Sequence, residues 1–522
     1  MKSNLFILFL LMSLGMRVVA AEWQWSVTVD GSYSKEVKGE AKAFLWIPPT
    51  CGKLNAVVFS QQNMTEETLF RSSLFRKEME RLGIGIIWIA PGISQDWNPS
   101  SNIQAVFSCC LKDLATVSGY DELATVPIVP FGHSAMATFP WNFAAWNSSR
   151  TLCIISYHGD APRTNLCGYG RENVEWGRTR NIDRVPGLMI EGEFEWWEAR
   201  VNPALAFRMM YPESRISFLC DAGRGHFDLY DETIKYMVSF IEKSLKEYPK
   251  RGSVTDEGWL VHRWNGDGKR PSPAPAREYK GDKHDSFWYF DREMAEWTER
   301  RYTETRRKYE QYVSFTQNGS LISYNPKTHV KLQPKFIPEE DGVTFYFAAV
   351  NVDSLSCRLS TKHAIGKPRI RCISGPVKQL NDTTFRLNFY CTGFTNPGRW
   401  GICLAAEMDG DSKYKSAVRE LTVHIPMCQS KGKRQSILFP SLQDMQAEKG
   451  KRIRMQATAD SGLPVYYYIK EGAAVMDGDE LVLTQIPPRA KMPMKVTVGA
   501  WQYGVKDKVQ TAEPVERSFY IY

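Results

Sequence analysis

The stretch from Val126 to Met136 constrains the fold most. Val126-Pro127-Ile128-Val129-Pro130-Phe131 is an apolar run that ends in Gly132-His133-Ser134-Ala135-Met136. An apolar strand followed at once by Gly-x-Ser-x and small residues reads as a strand, a sharp turn and a helix start. Such a turn forces the serine at its apex into a strained backbone conformation and pushes its hydroxyl off the sheet edge. Gly132 suits the turn because a side chain there would collide with the returning backbone.

The surrounding chain repeats strand and helix. Ala43 to Ile47 and Asn55 to Ser60 read as early strands, and Ile84 to Ala90 is apolar throughout, as a strand buried on both faces should be. Leu152 to Ser156, Gly187 to Ile190 and Ile216 to Leu219 supply three later strands. Helical periodicity falls at Glu66 to Arg81, Ile103 to Ser118, Glu198 to Tyr211 and Glu232 to Tyr248. This alternation implies an α/β unit over residues 22–248: a mostly parallel sheet with helices on both faces. Ligands of such sheets bind at the carboxyl ends of the strands, where Ser134 also falls.

A chain of 522 residues exceeds one compact core, so further domains are expected. Residues 249–315 read as a linker, rich in Pro and Gly to about Asp285, and then one long charged amphipathic helix from Phe290 to Tyr312. Met294, Trp297 and Tyr309 are its expected contacts. Beyond Phe315 the periodicity changes to two. Short strands between turn residues suggest one β-sandwich over 316–427 and a second, Ig-like one over 428–522.

Residues 1–20 have the pattern of a signal peptide: Lys2, an apolar run from Leu5 to Leu14, and Val18-Val19-Ala20 before the cleavage point. The run is too short to span a bilayer. The expectation is an exported protein, periplasmic or extracellular, with no stable membrane anchor. The net charge of +8 is spread among acids with no long basic block, which argues against a nucleic-acid partner. Export permits disulfides, and Cys357, Cys372, Cys391 and Cys403 could form two staples; the total of eleven cysteines leaves at least one unpaired. No Cys/His spacing resembles a zinc site, and neither metal nor cofactor is expected.

A serine becomes a nucleophile when a base takes its proton and a third group fixes that base. His226, in the glycine-rich Asp221-Ala222-Gly223-Arg224-Gly225-His226-Phe227 after the Ile216 strand, is the candidate base; Asp228 beside it reads as a local cap. Gly192-Glu193-Phe194-Glu195 follows the Leu188 strand. Glu195 is the first candidate for the acid, with Glu193 and Asp160 as alternatives. A tetrahedral intermediate needs two donors for its oxyanion; the N–H groups of Ala135 and Gln62 are the candidates. His158 is a candidate for the pocket lining, with a structural role as the alternative. Trp196 and Trp197, and further off Trp88, Trp97 and Trp141, could stack on sugar rings.

Gly132-His133-Ser134-Ala135-Met136, with Glu195 and His226 following in the order serine, acid, histidine, resembles the α/β-hydrolase superfamily over about residues 40–248. Met136 stands where that motif ends in glycine, and the loop at Gln62 lacks the His-Gly pair common in lipases and esterases. The resemblance implies a serine hydrolase working through an acyl-enzyme. The sandwich-bearing tail looks like that of exported hydrolases that degrade polysaccharides, so the expected substrate is an ester-decorated glycan. A serine peptidase of the same fold and a non-catalytic carbohydrate-binding scaffold are the alternatives.

Overall fold

The computed structural model describes residues 22–34, 39–95, 97, 102–165, 175–177, 180–195, 198–251, 257–265, 270–328, 330–354, 358–389 and 399–522. Residues 1–20, Cys357, Cys391, Trp196 and Trp197 lie outside them.

Eight strands form one sheet: β1 (Trp25–Ser34), β2 (Gly39–Trp46), β3 (Ala56–Gln61), β4 (Ile84–Ala90), β5 (Ile128–His133), β6 (Ile154–Tyr157), β7 (Pro186–Gly192) and β8 (Arg215–Asp221). Their order is β1-β2-β4-β3-β5-β6-β7-β8. β1 and β2 run antiparallel at one edge, and every pair from β4 to β8 is parallel. The crossovers are α1 (Thr65–Arg71), α2 (Ser73–Leu82), α3 (Ile103–Ser118), α4 (Phe139–Trp146) and α5 (Glu198–Met210), and α6 (Asp231–Glu247) follows β8.

Strand alternation sorts the core into two layers. Val58, Ile86 and Trp88 point to the face packed by α1, α2 and α6. Val57, Phe59, Ile87 and Ile89 point to the face packed by α3. Residues of both faces are fully buried along β3 and β4, which is why those strands read as unbroken apolar runs. The expected single helix from Glu66 to Arg81 is two, because Ser72 takes an extended conformation and caps α2, its Oγ accepting from the Phe75 N–H.

Residues expected to be a linker contain a small antiparallel sheet of Trp259–His262, Ala274–Pro275 and Ser286–Tyr289. It is anchored to β8, where the Ser217 hydroxyl donates to the Trp288 carbonyl at 2.5 Å. The expected helix from Phe290 to Tyr312 is shorter. α7 (Arg292–Thr303) starts on the Asp291 cap and ends before Arg307, whose φ of +59° breaks the helical path. Met294 is buried and Trp297 packs edge-on against Tyr236, as expected of the helix, whereas Tyr309 lies beyond it and is exposed.

The remaining chain is all strand, in small antiparallel sheets. Strands Arg369–Ser374, Arg399–Met408 and Ala417–Pro426 make one of them, and its edge lies against the α/β unit. The core of the last strand block, with Phe439, Val496 and Phe519, is continuous with the α3 face of the main sheet. Cys372 and Cys403 lie on neighbouring strands, yet both thiols are free, so the expected staples do not use them. No helix among the described residues is long and apolar enough to cross a membrane.

Candidate active site

Ser134 follows β5 directly and opens a short helical turn that leads into α4. Its φ is +52°, a left-handed value that costs a non-glycine residue roughly 1–3 kcal/mol. Two glycines make the turn sterically possible. A Cβ on Gly132 would come within 2.1 Å of the Met136 carbonyl oxygen, and one on Gly159 within 1.9 Å of the Ala137 Cβ. Met136, which replaces a glycine of the usual motif, is buried with its methyl against Gly92, where a Cβ would stand 2.9 Å from it.

His226 reaches this serine from the loop after β8: its Nε2 lies 2.7 Å from the Ser134 Oγ. Its Nδ1 is hydrogen-bonded to Oε2 of Glu195, which ends a short turn after β7. Three residues from three different loops thus form one hydrogen-bonded line at the carboxyl ends of the strands. Ser134 and Ala135 are half-exposed, while His226 is buried.

The other two acids are committed elsewhere. Glu193 accepts from the Gly223 N–H at 2.8 Å and pairs with Lys415 at 3.4 Å. Asp160 is fully buried and accepts from the Thr138 hydroxyl at 2.9 Å, fastening α4 to the loop after β6. Asp228 is the local cap expected of it, accepting from the Gly225 N–H at 3.0 Å.

His158 is completely buried and takes the structural place. Its Nδ1 lies 2.7 Å from the main-chain oxygen of His226 and 3.2 Å from Oε1 of Glu195. Nε2 of His133 lies 2.8 Å from that same oxygen. A carbonyl only accepts, so both nitrogens carry hydrogen and both tautomers are fixed. Burial pushes both imidazoles below the usual histidine range, His133 furthest, which keeps them neutral. The ring nitrogens of His133, His158 and His226 lie within 4.8 Å of one another, close enough to suggest a metal. The two that face the carbonyl are donors and the Nε2 of His226 faces Ser134, while Nδ1 of His133 and Nε2 of His158 are buried without a hydrogen bond among the described residues. Behind Glu195, the Arg200 guanidinium stands 3.9 Å from Oε2 and donates to Glu191 at 3.1 Å. Burial raises the Glu191 carboxyl well above its ordinary value despite that arginine.

The loop after β3 departs from expectation. The Gln62 N–H donates to the Ile89 carbonyl at 2.8 Å, so it continues the sheet and cannot serve an oxyanion. The Met64 N–H donates to Glu66 at 2.8 Å. Asn63 is the residue of this loop whose N–H makes no hydrogen bond among the described residues, and its side-chain amide donates to the His133 carbonyl at 2.7 Å. Glu66, fully buried, also accepts from the His133 N–H at 2.8 Å, tying the loop to the residue before Ser134. Burial pushes its carboxyl up to about 8. Nothing in the sequence separates Glu66 from the acidic residues common in a first helical turn.

The sandwich also reaches the site. Arg224 donates to Asp228 and to Glu407, each at 3.2 Å, and Arg371 donates to the same Glu407 oxygen at 2.6 Å. The Phe227 N–H donates to Glu420 at 3.1 Å. The loop that carries His226 is therefore gripped from both sides of that residue. Trp88, Trp97 and Trp141 are fully buried in the core and offer no stacking face.

No protein-family model and no curated protein matches the chain. Among solved structures it is similar to FphF, a fluorophosphonate-binding serine hydrolase of Staphylococcus aureus, at 11% identity and a TM-score of 0.30, covering 42% of this chain and 97% of that one. An esterase from the archaeon Pyrobaculum calidifontis gives 15% and 0.30, with 43% and 85% covered. Est1E from Butyrivibrio proteoclasticus gives 15% and 0.29, with 44% and 99% covered. The strand order with its antiparallel edge, the strained serine after β5, and the acid and histidine after β7 and β8 give this chain the α/β-hydrolase fold.

Proposed function

We propose that the protein is an exported serine hydrolase that cleaves carboxylic esters, removing acyl groups from a polysaccharide. The observation that carries the reading is the 2.7 Å contact between Ser134 Oγ and His226 Nε2, with Glu195 on the other ring nitrogen. In this reading His226 takes the hydroxyl proton as Ser134 attacks the ester carbonyl. Glu195 stabilises the imidazolium, and the N–H groups of Ala135 and Asn63 receive the oxyanion. The imidazolium then gives its proton to the leaving alcohol, and an acyl-enzyme remains. Water, deprotonated by the same histidine, releases the acid and restores the serine. The leader-like residues 1–20 support export, and the appended sandwiches support a polymeric substrate.

Short-chain nitrophenyl esters and a fluorophosphonate probe test the chemistry. The parent should hydrolyse the esters and take the label at Ser134, and Ser134→Ala should do neither. Equal turnover by parent and mutant would remove Ser134 from the reaction. Acetylated against deacetylated oligosaccharides, assayed by acetate release, test the substrate class.

A further inference from the structure

A cavity of about 490 Å³ separates the His226 loop from the first sandwich. That volume falls within the roughly 300–1,000 Å³ typical of small-molecule sites. Glu195, His226 and Phe194 form its wall on the hydrolase side, and Tyr324, Arg419 and Glu420 face them from the sandwich side. It therefore borders the base and acid of the candidate triad. Another cavity, about 610 Å³ around Asn63, Arg71 and Arg371, borders neither.

The chemistry of the wall is selective. Arg419 is half-buried and its guanidinium lies over the Tyr324 ring at 5.8 Å. It has no hydrogen-bond or ion-pair partner among the described residues. Lys331, also on the wall, donates only to the main-chain carbonyls of Pro326 and Thr328, at 3.1 and 2.6 Å. The acids nearby are occupied. Glu195 holds His226, Glu420 accepts from the Phe227 N–H, and Glu310 accepts from the Tyr312 hydroxyl. Glu420 is further pushed up to about 8 by burial and the charge of Asp228, which leaves it mostly protonated at neutral pH. Phe194, next to Glu195, exposes 47% of its surface towards the cavity it lines. Two cations without carboxylate partners and an open aromatic face suit a ligand that carries both a carboxylate and a flat C–H face.

We infer that this cavity binds a carboxylate-bearing sugar of an acidic oligosaccharide, with Arg419 taking the carboxylate and Phe194 stacking on the ring. The inference deepens the esterase reading and rests on it, since it places the uronate beyond the ester that Ser134 would cleave. Position supports the assignment to the leaving-alcohol side. The cavity meets the triad at His226, the residue that protonates the departing oxygen, and Ser134 does not line it.

The test is binding without turnover. Tetragalacturonate and neutral cellotetraose are titrated calorimetrically into full-length Ser134→Ala protein. Tetragalacturonate should bind and cellotetraose should not. Adding Arg419→Gln should weaken tetragalacturonate binding about tenfold or more, the range of a lost charge-assisted hydrogen bond. Arg419→Lys should restore part of it, and Phe194→Ala should weaken binding independently. Thermal melts establish that each variant is folded. Equal binding of the two oligosaccharides, binding of neither, or no loss with both Arg419→Gln and Phe194→Ala would overturn the subsite. Fluorophosphonate labelling of the parent reports separately on the hydrolase. Label without tetragalacturonate binding sinks the subsite alone, and binding without label sinks the hydrolase reading on which it rests.

Discussion

Arg224, two residues before His226, donates to Glu407 of the first sandwich at 3.2 Å. Both side chains are almost fully buried, at 7% and 4% exposure. Arg371 shares the same carboxylate oxygen, and Asp228 neutralises Arg224 from within the loop. Although burial opposes it, Arg371 and Arg224 hold the Glu407 carboxyl below its ordinary range. A strand far along the chain thus sets the conformation of the loop that presents the histidine.

Glu407→Gln should uncouple that loop. Removing one charge of a buried pair costs roughly 3–5 kcal/mol, and Asp228 retains part of the compensation, so a loss near the lower end is expected. Urea unfolding should show it. The rate of phosphonate labelling and kcat should both fall about tenfold, the effect of roughly 1.4 kcal/mol in the barrier, with KM nearly constant. Glu407→Asp should recover part of kcat. A rise in KM with kcat intact would show that the sandwich holds substrate and not the base.

Glu66 makes stability depend on pH in a defined direction. Its folded value of about 8 lies above its ordinary value of 4.5, so the fold binds its proton more tightly than the unfolded chain does. Its contribution is complete below about pH 4.5 and is lost as pH rises towards 8, with a limiting slope of roughly 1.4 kcal/mol per pH unit. Glu66→Gln should flatten this stretch of the profile. It should also lower stability at pH 5 by about 1–3 kcal/mol, because one amide oxygen cannot accept from both the His133 and Met64 N–H groups. Melting temperatures from pH 4 to 8 for both proteins decide the matter; parallel profiles would refute the titration.

The approach of Gly159 to Ala137 can be tested by exchange. Gly159→Ala places a methyl 1.9 Å from the Ala137 Cβ, an overlap that should cost about 1–3 kcal/mol and slow labelling of Ser134. Adding Ala137→Gly should restore much of both losses. Additive losses in the double variant would show that the two residues do not meet.

Much of the α/β unit was legible in the chain. β4 and α3 fall on the stretches that their apolar patterns mark, because a strand buried on both faces and a one-faced helix each leave a local signature. Ser134 announced itself because its turn tolerates few residues. The edge strand β1 and the break at Ser72 went unread: the first is defined by its partner β2, and the second by a single dihedral change. The tryptophans Trp88, Trp97 and Trp141 carry no local mark separating a core ring from an exposed one.

The alternation of buried apolar runs with helical stretches marks a parallel sheet in the chain itself, and the serine, the acid and the histidine each follow one of its strands. Which of several carboxylates meets His226 was decided in three dimensions, where Glu193 turns to Gly223 and Lys415, Asp160 to Thr138, and Glu195 to the imidazole. The same holds for the Gln62 N–H, claimed by Ile89, and for the grip of Glu407 on Arg224. Periodicity records which side of an element is buried; hydrogen bonds and ion pairs between distant segments depend on distances that exist only once the chain has closed on itself.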